Sequence, residues 1–193
     1  MHKDHIIEHF RETDAFLEGH FILSSGLHSP GYLQCALALQ YPADAARFGR
    51  AIAERHLDLG IQTVASPAIG GLVIGYATAA AMNVRFLWTE RQNGEMTLRR
   101  GFTLTPGEKI LVVEDVITTG GSTRECIAAL KAAGGEVVAA ASIIDRSNGA
   151  ADVGVPRIAL AALDIPAYPP ESCPLCKAGT PAVKPGSRTG PTA

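Results

Sequence analysis

The chain has 193 residues, 47% of them hydrophobic and 19% charged, with a formal net charge of −2. This balance suits one folded α/β unit, not a disordered chain, and so small a charge removes the long-range field that draws proteins to nucleic acid or anionic lipid. Apolar runs stay well short of the roughly 20 residues that span a bilayer, the start Met1-His2-Lys3-Asp4-His5 is not a leader, and Cys35, Cys126, Cys173 and Cys176 are too scattered for a disulfide scaffold. A cytoplasmic protein without membrane or nucleic-acid partners is expected.

Residues 3–17 place Ile6, Ile7, Phe10 and Leu17 near helical spacing and predict an N-terminal helix. Residues 19–42 carry short apolar pieces punctuated by Ser, Gly and Pro, a loop and strand region. Residues 44–57 predict a second helix through Ala45, Phe48, Ile52 and Leu57. Strands and helices then alternate: strand 63–66, helix 70–82, strand 84–89, strand 109–114, helix 122–133, and strands at 137–144 and 158–163. Apolar strands alternating with helices predict a central parallel sheet covered on both faces. Residues 1–177 are expected to form a single domain. Pro, Gly, Ser and Thr dominate after Ile165, and residues 178–193 are expected to be a disordered tail.

The chemistry is concentrated in residues 110–123, where a strand ends in Glu114-Asp115 and runs through Val116-Ile117-Thr118-Thr119-Gly120-Gly121-Ser122 into a helix. Glycines allow successive N–H groups to point at one anion, and the helix N-terminus adds partial positive charge. Adjacent carboxylates would repel a bare phosphate, whereas ribose hydroxyls can donate to them. A sugar phosphate satisfies both halves. A Walker loop is excluded because no Gly-Lys-Ser/Thr follows the glycines, and the dinucleotide fingerprint places its acid about 20 residues beyond them.

This segment resembles the PRPP signature of the type I phosphoribosyltransferases. Residues 19–33 resemble the segment that closes over orotate in the orotate phosphoribosyltransferases, Ser66-Pro-Ala-Ile69-Gly70-Gly71 their pyrophosphate loop, and Ile143-Ile-Asp145-Arg146 the strand end bearing an orotate-contacting arginine. The resemblance implies transfer of the 5-phosphoribosyl group from PRPP to orotate, with release of pyrophosphate. It implies a type I phosphoribosyltransferase fold with a small hood from residues 1–42 and 163–177.

By the same resemblance Glu114 and Asp115 hold the ribose, residues 116–122 with Ile69 and Gly70 bind the rest of PRPP, and Thr118, Tyr32, Leu33 and Arg146 meet orotate. It further implies Mg2+ bound mainly through PRPP, and a homodimer sharing loop 91–101, with Arg91 acting on PRPP across the interface. The chain departs from the family pattern at Ser24, at Ile69-Gly70 and in the arginine-rich loop 91–101.

Three other features carry less. Cys173-Pro-Leu-Cys176 has the spacing of half a zinc knuckle, but no His or Cys follows nearby; a tight turn bearing two thiols is expected, with a metal shared across a dimer as the alternative. Cys35 and Cys126 read as core residues, and His28 as a loop histidine. Two rivals remain at this level. A purine or uracil phosphoribosyltransferase would share the cradle, and a PRPP-sensing regulator would need a basic face, where only Lys177, Lys184 and Arg188 offer one.

Overall fold

The computed structural model describes residues 3–23 and 25–185; Ser24 and the stretch from 186, with Arg188, lie outside the described residues. Helix α1 spans Lys3–Glu12 and buries Ile6 and Phe10. It stops short of the expected 17 because Asp14 takes a left-handed φ of 54°, and Leu17 belongs to a strand instead. That strand, β1 (Phe16–Ile22), pairs antiparallel with β2 (His28–Leu33), with a bulge between Glu18 and Phe21.

A lone two-stranded ribbon is marginal in water. Here the C-terminal segment supports both strands. The Ile22 N–H donates to the Val183 carbonyl and the Val183 N–H to the His20 carbonyl, each at 2.8 Å, while His28 and Tyr168 exchange two 2.8 Å backbone bonds. The hood expected from the sequence is this sheet with its C-terminal strap. The disordered-tail expectation therefore needs correcting at Thr180 and Val183, the first accepting from the His20 ring and the second hydrogen-bonded to the β1 backbone. Composition missed this because the strap takes its order from the hood, not from its own apolar content.

Helices α2 (Cys35–Leu39) and α3 (Pro42–Ala53) follow, the second opened by a proline at its first position. Beyond them come β3 (Thr63–Pro67), α4 (Gly71–Met82), β4 (Arg85–Gln92), β5 (Glu95–Leu98), β6 (Lys109–Ile117), α5 (Gly121–Ala132), β7 (Glu136–Asp145), β8 (Arg157–Ala162) and α6 (Pro174–Lys177). The main sheet runs β5-β4-β3-β6-β7-β8, all parallel except β5. Alternate residues of β6 face opposite layers. Leu111 and Val113 join α1, α3 and α4, while Ile110 and Val112 join Cys126, Ile127 and Leu130 of α5. Small residues bring α3 and α4 close: a Cβ on Gly49 would lie 2.5 Å from the Ala77 carbonyl carbon.

Order reverses between β3 and β6, so this is the switch point where open sheets bind ligands beyond their strands' carboxyl ends. Among the described residues no helix is long and apolar enough to cross a membrane.

Candidate active site

Two cavities meet at the carboxyl ends of β3, β6 and β7. The first, about 260 Å³, is lined by Pro67, Ala68 and Gly70 after β3 and by the continuous run 114–123 after β6. The sequence dictates this loop. Gly120 takes φ 75° as the residue capping α5, where a Cβ would lie 2.8 Å from Val153 Cγ1. The turn thus aims the N-terminus of a twelve-residue helix at the cavity, with Thr118, Thr119 and Ser122 exposed around it.

The loop after β3 packs directly on the acids. A Cβ on Gly70 would stand 2.9 Å from Asp115 Oδ1, and one on Gly71 3.2 Å from Glu114 Oε1. Only glycine lets the backbone approach both carboxylates this closely. Ile69, expected at the PRPP site, is 83% exposed and does not line this cavity. The Ala68–Ile69 peptide bond is cis.

Glu114 is buried and Asp115 half-buried, and this burial shapes their charge. It pushes the Glu114 carboxyl up to about 9, with the adjacent Asp115 adding to the shift. Burial also raises Asp115, against the opposing Val116 N–H that donates to its Oδ1 at 2.8 Å. Both shifts favour the neutral form of each carboxyl in the free protein, and a cation nearby would oppose them.

A stability consequence follows. A carboxyl held neutral in the fold contributes stability below its ordinary 4.5 and loses it as pH climbs toward 9. Glu114→Gln removes that loss, so the ligand-free variant should melt at higher temperature than wild type at pH 7. At about 1.4 kcal/mol per unit, the gain is on the order of 3 kcal/mol. Thermal melts at several pH values check this: the gap should be small at pH 5 and widen toward 9. A gap independent of pH would show that Glu114 titrates normally.

The second cavity, about 550 Å³, lies under the hood. Its walls are Ile22, Leu23, Leu27 and Tyr32 from the hood, Ile165 and Ala167 from the strap, and Thr118, Thr119 and Arg146 from the sheet end. Thr118 and Thr119 line both cavities, so one ligand can span them. Lys184 also borders the second, a cation that the sequence reading had left in the tail.

Arg146 is the group in this cavity with an open valence. Its backbone N–H donates to Ile117 O at 2.8 Å, while its Nε is buried with no hydrogen-bond acceptor among the described residues. Burial pulls its pKa down. A buried guanidinium donor without an acceptor is costly unless a ligand supplies one. Asp145, one residue earlier, holds the turn in place. It accepts from Ser147 N at 2.7 Å, Ser147 Oγ at 2.6 Å and Gly149 N at 2.9 Å, and pairs with Arg157 at 3.1 Å. This positioning role was not read from the sequence, although an Asp followed two residues later by Ser is a turn signal that could have shown it.

Two more expected site residues, Leu33 and Arg91, also lie outside the cavity linings. The Leu33 side chain packs against the core beneath the hood instead of lining the second cavity. The segment expected as a mobile loop is a β-hairpin: Gln92 pairs with Glu95, and Asn93 and Gly94 turn the chain with φ 53° and 89°. Both positive angles mark the tight turn favoured by Asn-Gly. Arg91 lines neither cavity. Its guanidinium pairs with Glu125 of α5 and donates to the Gly94 carbonyl at 2.8 Å. Arg100 grips Glu90 through two bonds of 2.7 and 3.0 Å.

Comparison with known proteins places this arrangement. Residues 39–156 match the phosphoribosyl transferase domain family. An orotate phosphoribosyltransferase from Pelotomaculum thermopropionicum is 53% identical over 188 residues, covering 97% of this chain and 99% of the relative. The crystal structure of orotate phosphoribosyltransferase from Aeropyrum pernix superposes with a TM-score of 0.68 at 25% identity, covering 82% of this chain and 93% of that one. The Mycobacterium tuberculosis orotate phosphoribosyltransferase in complex with 5-phospho-alpha-D-ribosyl 1-diphosphate superposes with a TM-score of 0.59 at 25% identity, covering 68% and 81% of the two chains.

Proposed function

The chain belongs to the orotate phosphoribosyltransferase family, and from that premise we propose that the first cavity binds PRPP, the second binds orotate, and the bond between them forms at Thr118-Thr119. The protein transfers the 5-phosphoribosyl group of PRPP to orotate, giving orotidine 5'-monophosphate and pyrophosphate. The observation that carries the division of labour is the pair of threonines common to both cavities.

The residues divide the chemistry by charge. Backbone N–H groups at the start of α5, with the hydroxyls of Thr118, Thr119 and Ser122, hold the 5-phosphate. Glu114 and Asp115 accept from the ribose hydroxyls. As the anomeric carbon's bond to the pyrophosphate oxygen breaks, its electron pair leaves with pyrophosphate; the orotate ring nitrogen supplies the new pair and gives up its proton, which the departing pyrophosphate or water can take. The ring passes through oxocarbenium character, and carboxylates beside it favour that charge more in the transition state than in bound PRPP. The backbone at Gly70-Gly71 faces the departing pyrophosphate. Arg146 supplies a planar fork for an orotate carboxylate or ring carbonyl.

Magnesium fits this site as a partner of the substrate. Two adjacent carboxyls whose charged forms are disfavoured by burial would gain from a divalent cation nearby, and pyrophosphate and ribose oxygens would hold most of its coordination sphere. Bound so, it would offset charge on the leaving group.

Calorimetry tests the two-cavity reading. One orotidine 5'-monophosphate should bind per chain and displace both PRPP and orotate; a product that displaces only one of them would mean the cavities belong to separate sites.

The homodimer belongs to the same proposal. Arg91 is engaged outside both cavities of its own chain, and Val73 and Tyr76 stand 47% and 67% exposed on α4 beside Ile69, an apolar surface suited to a second copy. In such a dimer hairpin 91–101 completes the neighbour's PRPP site. Mixing Arg91→Ala chains with Asp115→Asn chains checks this. Sharing puts both lesions in one site of each mixed dimer and none in the other, so activity should recover to about half of wild type per mixed dimer. No recovery after confirmed subunit exchange would place Arg91 in its own chain's chemistry.

A further inference from the structure

The turn expected to bear two idle thiols faces two buried histidines. His20 and His28 come from the paired hood strands, Cys173 caps α6 and Cys176 lies within it, and their four ligand atoms lie within 4.8 Å of one another. His20 Nε2 stands 2.8 Å from His28 Nδ1 and 3.7 Å from Cys173 Sγ. Cys176 Sγ lies 3.8 Å from His20 Nε2 and 3.2 Å from His28 Nδ1.

Tetrahedral zinc with thiolates near 2.3 Å and imidazoles near 2.0 Å sets its nitrogens about 3.3 Å apart and each nitrogen about 3.6 Å from sulfur. The three sulfur–nitrogen distances bracket the second value, and the two rings need only open by about half an ångström to reach the first. Hydrogen bonding between the rings explains their 2.8 Å contact. It does not explain two thiols converging on the same nitrogens.

Two features of the surroundings prepare the donors. The β1 bulge between Glu18 and Phe21 breaks the alternation, so consecutive residues His20 and Phe21 are both buried and the histidine is aimed inward. His20 Nδ1 lies 2.7 Å from the Thr180 carbonyl, an oxygen that can only accept. Nδ1 therefore carries the proton, and Nε2 presents its lone pair to the cluster. A histidine ligand held by a backbone carbonyl through its other nitrogen is the usual outer arrangement of a metal site.

We propose that His20, His28, Cys173 and Cys176 bind one structural zinc ion that ties the hood to the C-terminal segment. Two nitrogens and two sulfurs, the four donors that converge here among the described residues, make up the full set of a structural tetrahedral site. The ion joins the two hood strands to the C-terminal segment, and the His–Cys pairs in contact are 148 to 156 positions apart in sequence. Its binding releases the two thiol protons, so uptake strengthens as pH rises. The joined segments also carry Leu27, Tyr32 and Ala167 of the second cavity. An effect on orotate follows only if that cavity is the orotate site, as proposed above; metal binding does not depend on it.

The experiment uses the full chain, reduced, stripped with a chelator and titrated with Zn2+ and, separately, Co2+. One Zn2+ per chain is expected, with a Co2+ complex showing tetrahedral ligand-field bands and sulfur-to-cobalt charge transfer. Cys176→Ser, at an exposed position, should weaken binding at least tenfold and diminish the charge-transfer band. Zinc removal should lower the melting temperature and raise KM for orotate more than KM for PRPP. Three results would overturn the proposal: no stoichiometric uptake by the reduced wild-type chain, an octahedral cobalt spectrum, or uptake unchanged by Cys176→Ser. Iron in place of zinc in the purified chain, or a Cys173–Cys176 disulfide that takes up no metal after reduction, would do the same. A normal metal titration with unchanged orotate kinetics would instead count against the placement of orotate under the hood.

Discussion

Asp115→Asn is expected to lower kcat on the order of 10²- to 10³-fold while PRPP affinity changes far less. The substitution keeps the shape beneath Gly70, where a Cβ would already lie 2.9 Å from the carboxylate, so packing should survive. What it removes is negative charge beside a carbon that turns cationic only as the pyrophosphate bond breaks. Hydrogen bonds to the ribose are made in bound PRPP and transition state alike and affect KM; the charge acts mainly in the transition state and affects kcat. Steady-state kinetics with calorimetric PRPP binding separate the two. Equal turnover in variant and wild type would show that the carboxylate is not a catalytic group. Loss of PRPP binding at unchanged kcat would assign it to ground-state recognition.

Arg146→Ala should reduce kcat/KM for orotate by about 2–4 kcal/mol, or roughly 30- to 1000-fold, with PRPP binding nearly intact. Its buried Nε has no acceptor among the described residues, so the ligand is the natural source of one. A planar fork meeting a planar anion loses both geometry and charge on truncation, and Arg146→Lys should recover little of the effect. If PRPP binding fell while orotate binding survived, Arg146 would belong to the phosphate side. Asp145 holds the turn that carries Arg146, so Asp145→Asn should imitate the loss in weaker form.

The reach of the sequence can be judged from particular residues. Strand β6 and its loop were legible because one continuous stretch carries everything: an apolar strand, two acids, then glycines opening a helix. Local patterns of this kind survive into the fold unchanged, and residues 114–123 line one cavity. The division of the hydrophobic layers followed from the same alternation. Arg146 was identified through resemblance, and only the structure exposes its unpaired Nε.

Other features depend on contacts remote in sequence. Val183 looked like part of a polar tail, yet its order comes from β1, more than 160 positions earlier. His28 read as a loop histidine and Cys173-Pro-Leu-Cys176 as half a site because each half waits on the other chain segment. Spacing rules that search for four ligands in one stretch cannot join residues 20 and 28 to 173 and 176. The hairpin is a different case. Asn93-Gly94 between Gln92 and Glu95 is a local turn signal, and here the turn chemistry prevails over the shared loop implied by resemblance.

The central claim is that two adjoining cavities form one transferase site, and orotate consumption tests it most directly. The protein is supplied with PRPP and Mg2+ and given orotate, uracil or adenine in parallel, with base and pyrophosphate both quantified. The expected result is that orotate disappears and pyrophosphate appears in equal amounts, with little turnover of uracil or adenine. Pyrophosphate release without loss of orotate, or preferential consumption of another base, would contradict the assignment of the cavity lined by Tyr32 and Arg146.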